Sequence, residues 1–296
     1  MKAGLLVALT VITIGFAMTW IVAILRQRRE QNVICPDLVD TAVGLVTMFF
    51  DTLGIGSFAT TSSIFKFWGL VRDEEIPGTL LVGQTPPSVL EAFFYVAIIP
   101  VDLLTLILMI ASATAGAWLG AGVVSQWPRR KIQIGMGSAL LLAAMLMAMR
   151  ALNWLPLGGE VLALSGAKLV IGVGFNMVFG ALMTIGVGIF APSMVLVSIL
   201  GMNPIAAFPI MMGSAAFLMP VGSVPFIRAR RYNLKAALGL TLGGIPGVLI
   251  AAFIVKSLPL AAIRWLVVAV VIYTASMMLR SAAIERRSAA MASANS

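Results

Sequence analysis

The sequence predicts an all-α, polytopic membrane protein built from two inverted-topology repeats and an extra N-terminal span. The first observation is composition: 60% of the 296 residues are apolar and only 10% are charged, whereas soluble domains carry about 25% charged residues. The second is that the apolar residues form continuous runs, enough for roughly eight helical crossings, instead of the alternation of a membrane barrel. The third is a glycine motif that recurs at a constant offset.

Composition also excludes several classes of function. The chain has no histidine, so serine–histidine triads and HExxH zinc sites are absent. The single cysteine, Cys35, excludes an internal disulfide and a cysteine-rich metal site, and we expect no metal and no cofactor. The net charge of +9 falls in short loops between apolar runs, which is how orientation is set in membranes. We therefore expect membrane lipid, and no nucleic acid, as a partner.

The two ends of the chain predict one extra span and one tail. The run 3–25, within an N-terminal segment of residues 1–30, precedes Arg26 and Arg28 and lacks a small-residue cleavage site. This pattern is typical of a retained span with its N-terminus outside the cell, and not of a signal peptide. The last apolar run precedes Arg280, which predicts a cytoplasmic tail over 281–296.

Between the ends, the chain repeats. The segment Leu53–Ala59 matches Ile185–Ala191, and the offset of 132 residues (186 − 54) is kept by three glycine pairs. We predict repeat one over 37–150 and repeat two over 161–280. The paired glycines are Gly54 with Gly186, Gly56 with Gly188, and Gly69 with Gly201.

Each repeat divides into a glycine-interrupted unit A and three plain apolar runs, B, C and D. Unit A of repeat one, 37–70, would be roughly 51 Å long as a helix, which is long for one crossing and short for two. We therefore expect two broken helices that meet inside the membrane. The predicted runs B, C and D are 78–98, 102–126 and 131–150 in repeat one, and 205–227, 235–256 and 261–280 in repeat two.

The basic loops predict that the repeats point in opposite directions. Basic residues cluster between C and D in repeat one (129–131) and between B and C in repeat two (228–235). If both clusters are cytoplasmic, the repeats are inverted, provided that each unit A enters and leaves on one side. Inverted repeats with broken helices are typical of secondary transporters with a site near the membrane midplane. Three basic residues fall on the outer side of this topology: Arg150, Lys256 and Arg264.

The glycine breaks are the candidate binding site. A break at membrane depth must lie in protein or line a wet cavity, and the helix that restarts after it offers free N–H groups and a positive dipole end to an anion. Two such ends facing each other would hold one small anion. A glycine pair taken alone is more often a packing notch, but its recurrence in both repeats favours the break. The candidate substrate-binding residues are Gly54, Gly56, Ser57, Thr60, Thr61, Gln84, Thr85, Gly186, Gly188, Ser193 and Ser214. Gln84, Thr85 and Ser214 could equally form hydrogen bonds between helices.

Two carboxyls inside predicted spans, Asp51 and Glu91, are functional candidates by default. Burial favours the neutral form of a carboxyl, so either could carry a coupling proton. The alternative is that each pairs with a lysine such as Lys66 or caps a helix. Asp102 is expected to be a plain N-cap. Small residues four apart, in 112–120 and 239–251, predict close helix packing.

The stretch Gly44–Leu70, its echo Gly172–Met202 and the Gly116/Gly120 ladder ahead of Pro128 resemble the sulfite exporter TauE/SafE family, also called the toluene sulfonate uptake permease family. The resemblance covers about 38–280. The family pattern usually has a longer glycine run after the break, and here Ser57 and Ile189 occupy the last place of that run. It implies an inner-membrane secondary carrier for sulfite, sulfonate, sulfoacetate or a related small organic anion, driven by the proton gradient. Two other functions stay open: a passive anion channel, and an intramembrane enzyme with Ser57 as nucleophile and Lys66 as base. A homodimer is also left open.

Overall fold

The prediction of an all-α polytopic membrane protein is confirmed. The structure is a computed structural model that describes residues 2–30, 35–154, 158–186, 188–253, 272–273 and 275–284. Within these ranges the regular structure is helical apart from one isolated bridge, between Val161 and Met202. The helices are α1 (Lys2–Glu30), α2 (Leu38–Thr52), α3 (Phe58–Trp68), α4 (Ile76–Ile98), α5 (Leu103–Val124), α6 (Arg129–Ala151), α7 (Gly166–Met183), α8 (Phe190–Ile199), α9 (Ala207–Arg228) and α10 (Leu234–Phe253), with a short 3₁₀ turn at Pro204–Ala206.

Among the described residues, six helices are long and apolar enough to cross a membrane: α1, α5, α6, α7, α9 and α10. The helix α4 has 23 residues, the length of a span, but carries the buried polar side chains of Gln84, Thr85 and Glu91. These side chains are shielded by protein, because α4 packs against α9 and α10. Polar groups at such positions need partners inside the protein instead of water.

Each predicted unit A contains two helices. The 34-residue segment 37–70 forms two short helices, α2 and α3, and its counterpart forms α7 and α8. Runs B, C and D of repeat one correspond to α4, α5 and α6, and B and C of repeat two to α9 and α10, within a few residues. Most of run D of repeat two, together with Lys256, Arg264 and residues 285–296, lies outside the described residues.

Matching helices of the two repeats make matching contacts. Unit A of repeat one packs on run C of repeat two (α2 on α10), and unit A of repeat two packs on run C of repeat one (α7 on α5). The two B helices, α4 and α9, pack on each other at the centre. They run antiparallel, since Gly78 faces Phe226 while Leu81, further along α4, faces Gly222, which is earlier in α9. Inverted repeats require equivalent helices of opposite direction; the inversion of the two repeats stays a prediction.

The small-residue ladders are packing surfaces, as predicted. Gly116 lies against the backbone of Met177, and Gly243 lies against the backbone of Thr41, so neither position has room for a side chain. These contacts let α5 approach α7, and α10 approach α2, at backbone distance. Asp102 is the predicted N-cap: its carboxyl accepts a hydrogen bond from the Thr105 backbone N–H at 2.8 Å.

Candidate functional site

The first break separates α2 from α3 at residues 53–57. Gly54 and Gly56 have φ angles of +82° and +92°, in the region that residues with a Cβ rarely adopt. The chain therefore leaves the helix at Thr52 and re-enters a new helix at Phe58. Glycine is required here by the backbone conformation, and not for packing alone.

The second break, between α7 and α8, also contains a left-handed glycine. Gly186 has a φ of +93°, close to that of Gly54 at the matching position. The helix α8 begins at Phe190, and Pro192 lies in its first turn, where a missing N–H removes no helical hydrogen bond. Val187 lies outside the described residues.

The two breaks face each other inside the protein. The Cβ position of Gly56 is 3.8 Å from Cβ of Phe190, and that of Gly188 is 3.4 Å from Cβ of Phe58. These two contacts are exchanged by the 132-residue offset, as expected if a pseudo-twofold axis passes between the breaks. The Ser62 hydroxyl, which donates to the Gly186 carbonyl at 3.3 Å, adds a further link.

Polar side chains join the first break to α4. The Ser57 hydroxyl donates to Gln84 Oε1 at 3.0 Å, and Gln84 Nε2 donates to Thr61 Oγ1 at 2.9 Å. Thr60 donates to the Ser57 carbonyl at 2.7 Å. These candidate residues are thus close to the break and already hydrogen-bonded between helices. Thr85 is different, because its hydroxyl donates to the Leu81 carbonyl of its own helix.

A parallel network joins the second break to α9. Asn176 Nδ2 donates to Ser214 Oγ at 3.1 Å and to the Met109 carbonyl at 2.7 Å, while the Ser193 hydroxyl donates to Asn176 Oδ1 at 3.4 Å. Ser214 and Ser193 correspond to Gln84 and Thr61 of repeat one. The sequence analysis missed Asn176, although a single amide in an apolar run was a signal. In the structure Asn176 is fully buried.

Asp51 and Glu91 form a buried acidic pair beside the first break. Their carboxyls are adjacent, and the side chains are 3% and 0% exposed. The Thr52 hydroxyl donates to Glu91 Oε1 at 2.6 Å, while Glu91 Oε2 has no hydrogen-bond partner among the described residues. The backbone N–H and the hydroxyl of Ser57 contact the Asp51 carboxyl. Asp51 therefore lies at the amino end of α3, where an anion is favoured.

The proposed alternative partner of these acids, Lys66, is engaged elsewhere. Its Nζ lies 2.7 Å from Asp73 Oδ2, in the loop between α3 and α4. Asp73 also accepts hydrogen bonds from Gln133 at 2.8 Å and from Arg129 at 3.3 Å, both at the start of α6. Burial raises the pKa of Asp73, but the bonds from Lys66 and Gln133 and the nearby cations outweigh it and hold the pKa below its ordinary value.

Two further features bear on chemistry at the site. The serine–lysine pair that an intramembrane enzyme would need is not formed, since Ser57 donates to Gln84 and Lys66 binds Asp73.

Sequence analysis also missed Tyr95, whose hydroxyl donates to the Thr52 carbonyl and whose ring stacks on Phe208 at 5.4 Å. Among the described residues no group of three or more histidine, cysteine or acidic side chains is placed to hold a metal ion.

Comparison with known proteins adds no relative. Neither the known family models, nor the curated proteins, nor the solved structures include a match to this chain.

Proposed function

We propose that the protein is a secondary transporter that carries a small organic or sulfur-containing anion across the bacterial inner membrane by alternating access. The N-terminus is outside and the C-terminus is in the cytoplasm. The observation that carries the proposal is the meeting of the two breaks, Gly56 against Phe190 and Gly188 against Phe58. One such contact would be a packing detail, whereas two contacts related by the repeat offset point to a shared site.

The electrostatics of the breaks favour an anion. The helices α3 and α8 begin at Phe58 and Phe190, the residues that contact the opposite break. The first N–H groups of a helix have no partner within that helix, and the amino end carries about half a positive charge. Two such ends directed to one place attract a small anion without a basic side chain.

Inverted repeats supply the movement. The antiparallel α4 and α9 pack on each other. The first break is hydrogen-bonded to α4 through Gln84, and Ser193, after the second break, is linked to Ser214 of α9 through Asn176. A site between two such halves is opened to one side or the other when the halves rock. The resemblance to the TauE/SafE family supports sulfite, a sulfonate or sulfoacetate as the cargo.

The acidic pair couples transport to protons. Two adjacent carboxyls away from water cannot both be ionised at low cost, and the structure places no cation of the described residues in a salt bridge with either. An ionised Asp51 holds the Ser57 N–H and repels a second anion. Protonation of Asp51 frees this amide, so the anion and the proton bind together and cross together.

Transport in proteoliposomes tests the proposal. Wild-type protein should accumulate labelled sulfite or sulfoacetate when a pH gradient, acidic outside, is imposed. The double variant Gly56→Leu/Gly188→Leu fills the space between the breaks and should lose this uptake. Gly122→Leu is the matched control, because no atom lies within 4 Å of the Cβ position of Gly122.

Three outcomes would contradict the proposal. Undiminished uptake by a folded double variant would exclude the breaks as the site. Flux at single-channel rates that ignores the proton gradient would show a passive channel. Labelling of Ser57 by a serine-directed phosphonate would show an enzyme.

A further inference from the structure

A cavity remote from the helix breaks opens between α1 and the carboxyl end of α9. Its volume is about 500 Å³, and it is lined by Arg26 of α1 and by Arg228 and Arg230 of the α9 end. Met18, Val22 and Ile227 form its apolar wall. The cavity thus has a cationic part and an apolar part, and none of the breaks contributes to it.

Two of the three arginines, Arg26 and Arg228, have no acidic partner among the described residues. The described residues that line the cavity include no aspartate or glutamate. Guanidinium groups held around one volume repel one another until an anion lies between them. Their planar donor geometry matches a phosphate, which they bind through paired hydrogen bonds.

The apolar part faces the lipid. Met18 and Val22 are 62% and 49% exposed on the outer surface of α1. On the inner side, the same end of α1 is anchored by Trp20, which packs with Tyr232 and Leu234. A ligand with an anionic head at the arginines could lay an acyl chain along Met18 and Val22, whereas free phosphate would leave this wall uncovered.

The backbone at Arg230 adds an independent observation. Helix α9 ends with the Arg230 N–H bonded to the Ile227 carbonyl at 3.2 Å and the Arg231 N–H bonded to the Phe226 carbonyl at 3.0 Å. In this termination motif the left-handed position is usually glycine, but here it is Arg230, with a φ of +54°. A strained non-glycine residue of this kind is characteristic of ligand clamps.

We propose that this cavity binds the phosphate headgroup of an anionic phospholipid from the cytoplasmic leaflet. Basic pockets between membrane helices on this side are suited to such headgroups, and this leaflet carries the negative surface charge. The site does not depend on the proposed transport function, since it shares no residue with the breaks. Its occupant would join α1, the additional N-terminal helix, to the repeat that contains α9.

The test uses the full-length protein, purified in detergent and stripped of lipid. Phosphatidylglycerol should raise its melting temperature, while phosphatidylcholine and inorganic phosphate at the same concentration should not. Arg26→Gln/Arg228→Gln should lose the shift. Arg130→Gln/Lys131→Gln is the matched control and should keep the shift, because these two exposed basic residues do not line the cavity and lie on the predicted cytoplasmic side.

A second variant separates binding from folding. Arg230→Gly places the usual residue at the left-handed position, so the lipid-free protein should fold, and it should still lose the phosphatidylglycerol shift. Equal shifts for the cavity variants and the control would overturn the proposal, as they would show only surface attraction. A shift produced by inorganic phosphate and lost in the variants would also overturn it, because the occupant would then be free phosphate.

Discussion

Replacing Gly54 and Gly186 by alanine tests whether the helices are broken where the repeat offset places the breaks. Both residues have left-handed φ angles, +82° and +93°, and a residue with a Cβ pays about 1–2 kcal/mol there. Alanine also lowers the conformational entropy of the unfolded chain, which stabilises the folded protein by about 0.4–1 kcal/mol. Each substitution should therefore destabilise the protein by about 1 kcal/mol, since the contacts at Met136 and Phe208 involve movable side chains.

The matched control is Gly122→Ala. This glycine lies within α5 and has open space at its Cβ position, so alanine should stabilise the helix by about 0.5–1 kcal/mol. The break variants and the control should thus differ by roughly 1–2 kcal/mol in the free energy of unfolding. The assay is unfolding by SDS titration in mixed micelles, followed by tryptophan fluorescence. Break variants as stable as the control would refute the left-handed geometry.

Three other variants have defined outcomes. Neutralising the acidic pair with Asp51→Asn/Glu91→Gln should leave a folded protein whose uptake no longer responds to a pH gradient, measured in proteoliposomes. Asp73→Asn leaves the ammonium of Lys66, which is 10% exposed, without its carboxylate and should cost about 3–5 kcal/mol in SDS unfolding. Gly243→Val forces α10 away from the α2 backbone and should cost about 1–3 kcal/mol or more, measured in the same way.

Each of these three variants has its own control or its own contradicting result. The control for Asp73→Asn is Asp37→Asn, which breaks an exposed ion pair with Lys235 and should leave stability unchanged. If Asp73→Asn were as stable as Asp37→Asn, the pair of Lys66 with Asp73 would not contribute as a buried ion pair. Gly174→Val, with nothing within 4 Å, controls for Gly243→Val. Preserved pH-driven uptake in the doubly neutralised variant would exclude Asp51 and Glu91 as proton carriers.

The pKa of Asp73 also predicts an acid limit. Because its folded-state pKa is lowered, its contribution to stability is present above the ordinary value of about 3.9 and is lost as the pH falls through the folded-state value. Stability should not change with Asp73 ionisation between pH 5 and 8. Below about pH 4 the free energy of unfolding of the wild type should fall as Asp73 is protonated. Asp73→Asn has no carboxyl at this position and should not show this part of the fall.

The sequence located the backbone of the site but not its side-chain partners. The offset of 132 identified Gly54 and Gly186, because a left-handed residue in a membrane helix is a local requirement that glycine reveals. The same analysis could not pair Ser57 with Gln84, or Asp51 with Glu91, because those contacts join separate helices. Helical spacing fixes which residues share a face, but the rotation of one helix against another depends on the packing of the whole chain.

Residues without a symmetric counterpart were the hardest to predict. Asn176 takes part in the second network, yet its match in repeat one is Gly44, a packing residue. Tyr95 contacts Thr52 through a hydroxyl at the edge of the acidic pair. Thr85 is a polar residue in an apolar helix, as expected of a site residue, but its hydroxyl donates to the Leu81 carbonyl of its own helix. Such assignments need the tertiary contacts themselves.

Equilibrium binding of labelled sulfoacetate to the purified protein tests most directly whether the facing breaks hold an anion. Saturable binding that sulfite displaces is expected for the wild type and for Gly122→Leu. The folded Gly56→Leu/Gly188→Leu variant should bind at least about tenfold more weakly, a loss of roughly 1.4 kcal/mol. Equal affinity in that variant would contradict the account, because the anion would then lie somewhere other than between the two breaks.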